Sequence, residues 1–140
     1  MAVYNKFNQT AKDLVDAKHN FSSHTFKVML TNTAPTAANA IKADITEIAA
    51  GNGYTAGGNA STITVSITGG TAKVTAGNVT FTASGGSIGP FRYAVLYNDT
   101  QTAPVKPLVC WFDYGSAITL ANTEQLTVAF DAANGLFQIS

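Results

Sequence analysis

Residues 51–56, GNGYTA, match G-x-G-x-x-[GA], the spacing with which a strand-to-helix turn brings backbone amides up to a dinucleotide pyrophosphate. That chemistry needs a strand before the first glycine and a helix opening at the last residue, because the helix N-terminus supplies the donors and the positive dipole end. Here the order is reversed: the helix-like DITEIAA precedes, and the strand-like GGNASTITVSITGG follows. Residues 59–98 contain no Asp or Glu to hold a ribose. The motif is therefore read as turn-forming glycines, and no nucleotide or other cofactor is expected. His19 and His24 are five residues apart with no carboxylate or thiol at ligand spacing, so they are read as solvated surface histidines and no metal is expected. Asp44 and Glu47 share a helical face at i, i+3, but nothing sets their environments apart as acid and base; capping and solvating a short helix is the expectation. Ser87 lies in a Gly-rich turn without a G-x-S-x-G elbow, and Cys110 lies in the apolar run LVCWFDY, where a lone thiol behaves as a small core residue. No catalytic residue emerges, and no enzymatic activity is expected.

The elements around these residues follow from composition and pattern. The 140 residues are 46% hydrophobic and only 11% charged, against a usual share of about 25%. Thr, Ser, Asn and Gly must cover the surface instead, which favours strands with one wet face. Eight basic and eight acidic side chains cancel, so no positive field attracts nucleic acid or anionic lipid. A surface so poor in charge is weakly protected against self-association, and a homo-oligomer, dimer or trimer, is expected. No apolar window is long enough to cross a membrane and no secretory h-region is present, which points to synthesis in the cytoplasm.

One short helix is predicted over residues 5–18, with Phe7, Ala11, Leu14, Val15 and the stem of Lys18 on its buried face. Residues 24–30 alternate as a strand, with Phe26, Val28 and Leu30 inward and Thr25, Lys27 and Met29 outward. Residues 43–50 suggest one or two helical turns. Gly69-Gly70 predicts a two-residue hairpin that sets Thr68 opposite Thr71, Val65 opposite Val74 and Ile63 opposite Ala76. Gly77-Asn78 predicts a second, pairing Val74 with Phe81, and Asn134-Gly135 a third, pairing Phe130 with Ile139 and Ala132 with Phe137. Ile63, Val65, Ile67, Val74, Val79 and Phe81 then line one apolar face. Residues 91–98 and 107–114 are apolar on both faces and read as central strands. Phe91, Tyr93 and Tyr97 fall on one face of the first, as a core layer or as a stacking platform for sugars. Together these signals predict a single domain over residues 1–140: a mainly β, antiparallel β-sandwich of jelly-roll-like topology with a short N-terminal helix, or an open barrel.

The segments LTNTAP, ADITEIAAGNGYTAGG, FTASGGSIGPFRYAVLYND and WFDYGSAITL occur in that order from about residue 30 to residue 120. In them the chain resembles a family of small tailed-bacteriophage virion proteins, most closely a capsid decoration, or cement, protein. The resemblance implies a β-sandwich module on the outer shell of a virion, made in the bacterial cytoplasm, with the phage major capsid protein as its partner and no active site. Tail, fibre or carbohydrate-binding receptor modules are the alternative. The contacting parts are expected in residues 2–7 and in the loops at residues 51–59 and 85–90. Val3, Tyr4, Phe7, Tyr54, Ile88 and Phe91 are the candidate interaction residues there, as exposed aromatic and apolar anchors.

Overall fold

The two runs that are apolar on both faces become the longest strands, β7 (Ile88–Asn98) and β8 (Leu108–Leu120). In the computed structural model, which describes residues 3–140, they pair antiparallel inside a five-stranded sheet. β1 (Val3–Lys6) flanks β8, while β2 (Phe26–Thr31) and β3 (Asn59–Ser61) continue beyond β7. A three-stranded sheet has the order β10-β5-β4, from β4 (Ile63–Thr68), β5 (Thr71–Ala76) and β10 (Phe137–Ile139). β6 (Val79–Thr82) pairs with β9 (Gln125–Val128) in a third sheet, and the chain is thus mainly β and antiparallel.

Two apolar clusters explain the two-sided burial. The larger joins Phe26, Val28, Leu30, Phe91, Leu96, Cys110 and Phe112 of the five-stranded sheet to Val74, Val79, Phe81 and Val128 of the two smaller sheets. On the opposite face, Met29, Val95, Tyr97 and Leu108 close a smaller cluster with Phe7, backed by Ile45 and Trp111. Met29 is fully buried and not at a wet face as its alternation suggested, because β2 lies inside a sheet covered on both sides. Phe91 and Tyr97 do not share a face. The register shift between Phe91 and Tyr93 breaks the period of two, so that Phe91 joins Ala94 and Leu96 in the larger cluster while Val95 and Tyr97 face the smaller.

The first predicted hairpin forms with the expected register throughout, from Thr68 opposite Thr71 to Ile63 opposite Ala76. Gly69 and Gly70 both have positive φ, +54° and +82°, as a type I′ turn requires. The other two hairpins do not form. Gly77 is outside the positive-φ region, and its N–H donates to Thr62 O at 2.7 Å, while β6 leaves β5 to pair Val79 with Val128 and Phe81 with Leu126. That leaves the far side of β5 free, and β10 takes it, with Phe137 opposite Val74 and Ile139 opposite Ala72. Asn134-Gly135 instead closes a turn in which Gly135 N–H donates to Asp131 O at 2.9 Å and the Asp131 carboxylate accepts from the Ala133 and Asn134 amides.

α1 (Asn8–Val15) is shorter than predicted and is rotated from the predicted face. Phe7, Thr10 and Asp13 are buried, while Ala11 is exposed and Val15 is 85% exposed. Just past the end of β1, carbonyls at the start of β8 need a donor, and Thr10 Oγ1 serves Leu108 O at 3.0 Å and Val109 O at 2.9 Å. Satisfying them turns a polar residue inward. Residues 43–50 are not helical beyond a 3₁₀ turn at Lys42–Asp44, whose first free amides, Ala40 and Ile41, donate to the Asp44 carboxylate at 2.8 and 3.1 Å.

Candidate interaction surface

The side chains with chemical potential are mostly committed to holding the fold. Glu47 Oε1 accepts from the Tyr54 hydroxyl at 2.6 Å and the Gly57 amide at 2.5 Å, and Oε2 meets Lys42 Nζ at 3.0 Å. Burial raises its pKa, but these donors outweigh burial and hold the carboxyl below its usual range. The Tyr54 hydroxyl also accepts from Leu30 N–H at 3.0 Å, and the Tyr97 hydroxyl donates to Gly57 O at 2.6 Å. Residues 51–58 are thereby pinned to β2 and β7. Their glycines answer close approach as well as turning: a Cβ at Gly58 would stand 1.7 Å from Val28 O.

Asp99 is clasped by Lys27 and Lys106, and Asp113 makes a two-pronged pair with Arg92 at 2.8 and 3.1 Å. Burial drives the Cys110 thiol far above its ordinary pKa, which makes it a core residue and not a nucleophile. His19 is not solvated as its sequence context suggested. It is 5% exposed, its Nδ1 lies 3.3 Å from Asn98 Nδ2, and burial pushes its pKa down to about 4 against the raising influence of Asp13. His24 is half-buried, and its Nδ1 meets the same Asn98 amide at 2.9 Å.

Four of the six candidate interaction residues are interior: Phe7, Tyr54, Ile88 and Phe91 are all at most 2% exposed. Tyr54 and Ile88 lie in segments expected to be loop that pack against a sheet, whereas Phe7 and Phe91 are buried as the predicted helix face and central strand imply. Phe7 packs against Trp111 with ring centroids 4.5 Å apart and planes tilted by 43°, and Tyr54 packs on Phe81 at 5.7 Å. Val3 and Tyr4 remain at the surface, 61% and 42% exposed, on β1, a regular edge strand and not an irregular tail; Ala2 lies outside the described residues. The structure also brings two of the expected contact loops together. Asn52 O accepts from Ser84 N–H at 2.9 Å, and Asn52 Nδ2 donates to Ser87 O at 2.9 Å.

Tyr4 stands at a groove of about 690 Å³ between the β1–β8 edge and the chain that follows β9. Phe112, Tyr114 and Phe130 line it with Thr127, Ala129 and Asp131. Tyr4 meets Phe112 edge-on at 5.7 Å, Phe112 meets Phe130 edge-on at 5.4 Å, and the Tyr4 hydroxyl donates to Leu136 O at 3.1 Å. Burial pushes the Tyr114 phenol up to about 12 and the Tyr4 phenol higher, so both stay neutral donors. The lining carries one charge, Asp131, whose carboxylate already accepts from Asn134 and Ala133. An apolar, aromatic groove with neutral hydroxyls suits a protein or other largely uncharged surface. Phe112 and Phe130 are each only 8% exposed and belong to the larger apolar cluster, so they floor the groove while Tyr4 and Tyr114 stand at its open side; sequence reasoning missed Tyr114 as a candidate. The signal was present in the two-sided apolarity of WFDY, one of whose faces is given to this groove.

Comparison of the chain with known protein families, curated proteins and solved structures finds no match.

Proposed function

We propose that the chain is a non-enzymatic structural module that binds a protein surface, a decoration protein on the outer shell of a tailed-phage capsid, with the major capsid protein as its partner. The resemblance of the four sequence segments to such virion proteins is what supports that place. The observation that carries the mode of action is the groove at Tyr4 and Tyr114, floored by the buried rings of Phe112 and Phe130 and carrying little charge. Such a surface binds by shape and desolvation, and Tyr and Phe anchors in a recess concentrate the energy of an interface. In this reading the five-stranded sheet and the two smaller sheets face each other as a sandwich of jelly-roll type around the larger apolar cluster, and the groove opens at one rim. Repetition on the shell adds avidity to weak single contacts.

A reconstruction of the virion should find the protein on the capsid lattice with β1 and the groove against the shell. Purified protein should co-sediment with empty capsids, and Tyr114→Lys should abolish that binding while the circular dichroism of the free protein is kept. A protein found only at the tail tip, or never pelleting with shells, would replace decoration by receptor recognition, for which the same aromatic groove is the first place to seek a bound sugar.

A further inference from the structure

Of the strands at sheet edges, β4 is the longest at six residues; β1, β6 and β9 have four and β3 and β10 three. Proteins normally blunt such an edge with Lys, Pro or a bulge. β4, Ile-Thr-Val-Ser-Ile-Thr, has none of these, and the register with β5 is unbroken. The one charge in β4 and β5 together is Lys73, set one strand in, opposite Ser66, on the face away from Val65.

The hairpin fixes which backbone groups are free. In a two-residue type I′ hairpin the flanking residues, Thr68 and Thr71, form a hydrogen-bonded pair, and such pairs alternate along the ladder. Thr64, Ser66 and Thr68 therefore spend their N–H and C=O on β5, and Ile63, Val65 and Ile67 point theirs out of the sheet. The side chains of these same three residues share a face with Val74, Ala72, Phe137 and Ile139. Val65, Ile67 and Ile139 are 44%, 74% and 53% exposed, so this apolar face runs past the core into solvent.

We propose that β4 is a homodimer edge, on which two copies pair antiparallel about a twofold axis at Val65. Ile63 then faces Ile67 of the second copy, Thr64 faces Ser66, and Val65 faces its own copy. All outward N–H and C=O groups of Ile63, Val65 and Ile67 find partners at once, and apolar residues meet apolar residues on one face while hydroxyls meet hydroxyls on the other. A one-residue slip would match bonded positions to free ones and mix the faces. An isologous contact sets residues near its axis against their own copies, and a strand without charge incurs no repulsion there. The result is a six-stranded sheet. It forms with or without a capsid, so its test needs none.

Sedimentation of the purified chain over a concentration series should show a reversible monomer–dimer equilibrium. Val65→Lys, at a position exposed in the monomer, should give monomer at every concentration with the dilute-protein melting temperature kept, and Val65→Thr should retain the dimer. Amide exchange adds a site-resolved readout: Ile63, Val65 and Ile67 should become protected as concentration rises, while Thr64, Ser66 and Thr68 are protected throughout. A chain that is monomeric over the whole series overturns the proposal. So does a dimer that survives Val65→Lys or leaves the amides of Ile63, Val65 and Ile67 exchanging freely.

Discussion

The β4–β5 hairpin, β-branched and without an aromatic ring, and the β7–β8 pair, β-branched and aromatic, fail opposite tests. The hairpin has the register its turn predicts and a face that the core does not fill, with Ile67 74% exposed. The central pair is buried on both faces through Tyr93–Asn98 and Leu108–Phe112, but its register shifts at three places. Local turn chemistry fixes pairing between neighbours in sequence. Which face meets the core depends on elements distant in the chain.

The sharpest way to separate the hairpin from the central, five-stranded sheet that holds β7 and β8 is to add a single carbon to a glycine at the hairpin tip and to one packed on that sheet. Gly58→Ala would drive a Cβ into Val28 O of the central sheet and should cost about 4 kcal/mol or more, among the largest effects a point change produces. Gly69→Ala at the hairpin tip meets nothing within 4 Å and should cost only about 1 kcal/mol for positive φ. Equal losses in urea melts would show that space at Gly58 does not matter. Truncating the side chains gives the next contrast. Tyr97→Ala, emptying a fully buried site and releasing Gly57 O, should cost roughly 3–5 kcal/mol. Ile67→Thr, in dilute protein, should stay within about 0.5 kcal/mol. A stable Tyr97→Ala protein that lost glycan binding would turn this residue from core into platform.

His19 sits where the regions meet, bonded to Asn98 at the end of β7 and lining the groove beneath the hairpin. Its folded pKa, about 4, lies below the roughly 6.5 of an unfolded histidine, so the unfolded chain binds more protons between these values. Stability should be full above about pH 6.5 and should fall as the pH drops toward 4, by on the order of 3 kcal/mol. His19→Gln should flatten that slope while the acid loss from Glu47, whose pKa is lowered, persists below the usual carboxylate range. A wild-type melting temperature unchanged between about pH 7 and 5 would contradict the buried, neutral histidine.

The reach of sequence reasoning follows the same division. The mainly β, antiparallel character, the central strands, the Cys110 core position and the first hairpin were legible because each rests on an adjacent pattern: alternation, a two-sided apolar run, a Gly-Gly turn. Tyr54 was misread as an exposed anchor because its flanking glycines look like loop, whereas they permit close packing on Thr82 and Val28 carbonyls. His19 was misread because the group that meets its ring, Asn98 at the end of β7, lies far along the chain, although Phe21 and Phe26, which pack on it, are near in sequence. Of the groove, sequence reasoning named only Tyr4, because its partners there come from β8, β9 and the chain beyond β9.

The sequence by itself determined that this is a β protein of nearly uncharged surface, that residues 63–76 form a register-locked hairpin, and that GNGYTA does not open a helix. Tertiary structure alone decided that β6 leaves β5 and β10 replaces it, that α1 turns Thr10 and Asp13 inward, and that Phe7, Tyr54, Ile88 and Phe91 are interior. The physical reason is the range of the forces. Turn dihedrals and side-chain alternation act over a few residues, whereas an open strand edge or an unpaired carbonyl is satisfied by whichever distant segment packing brings to it.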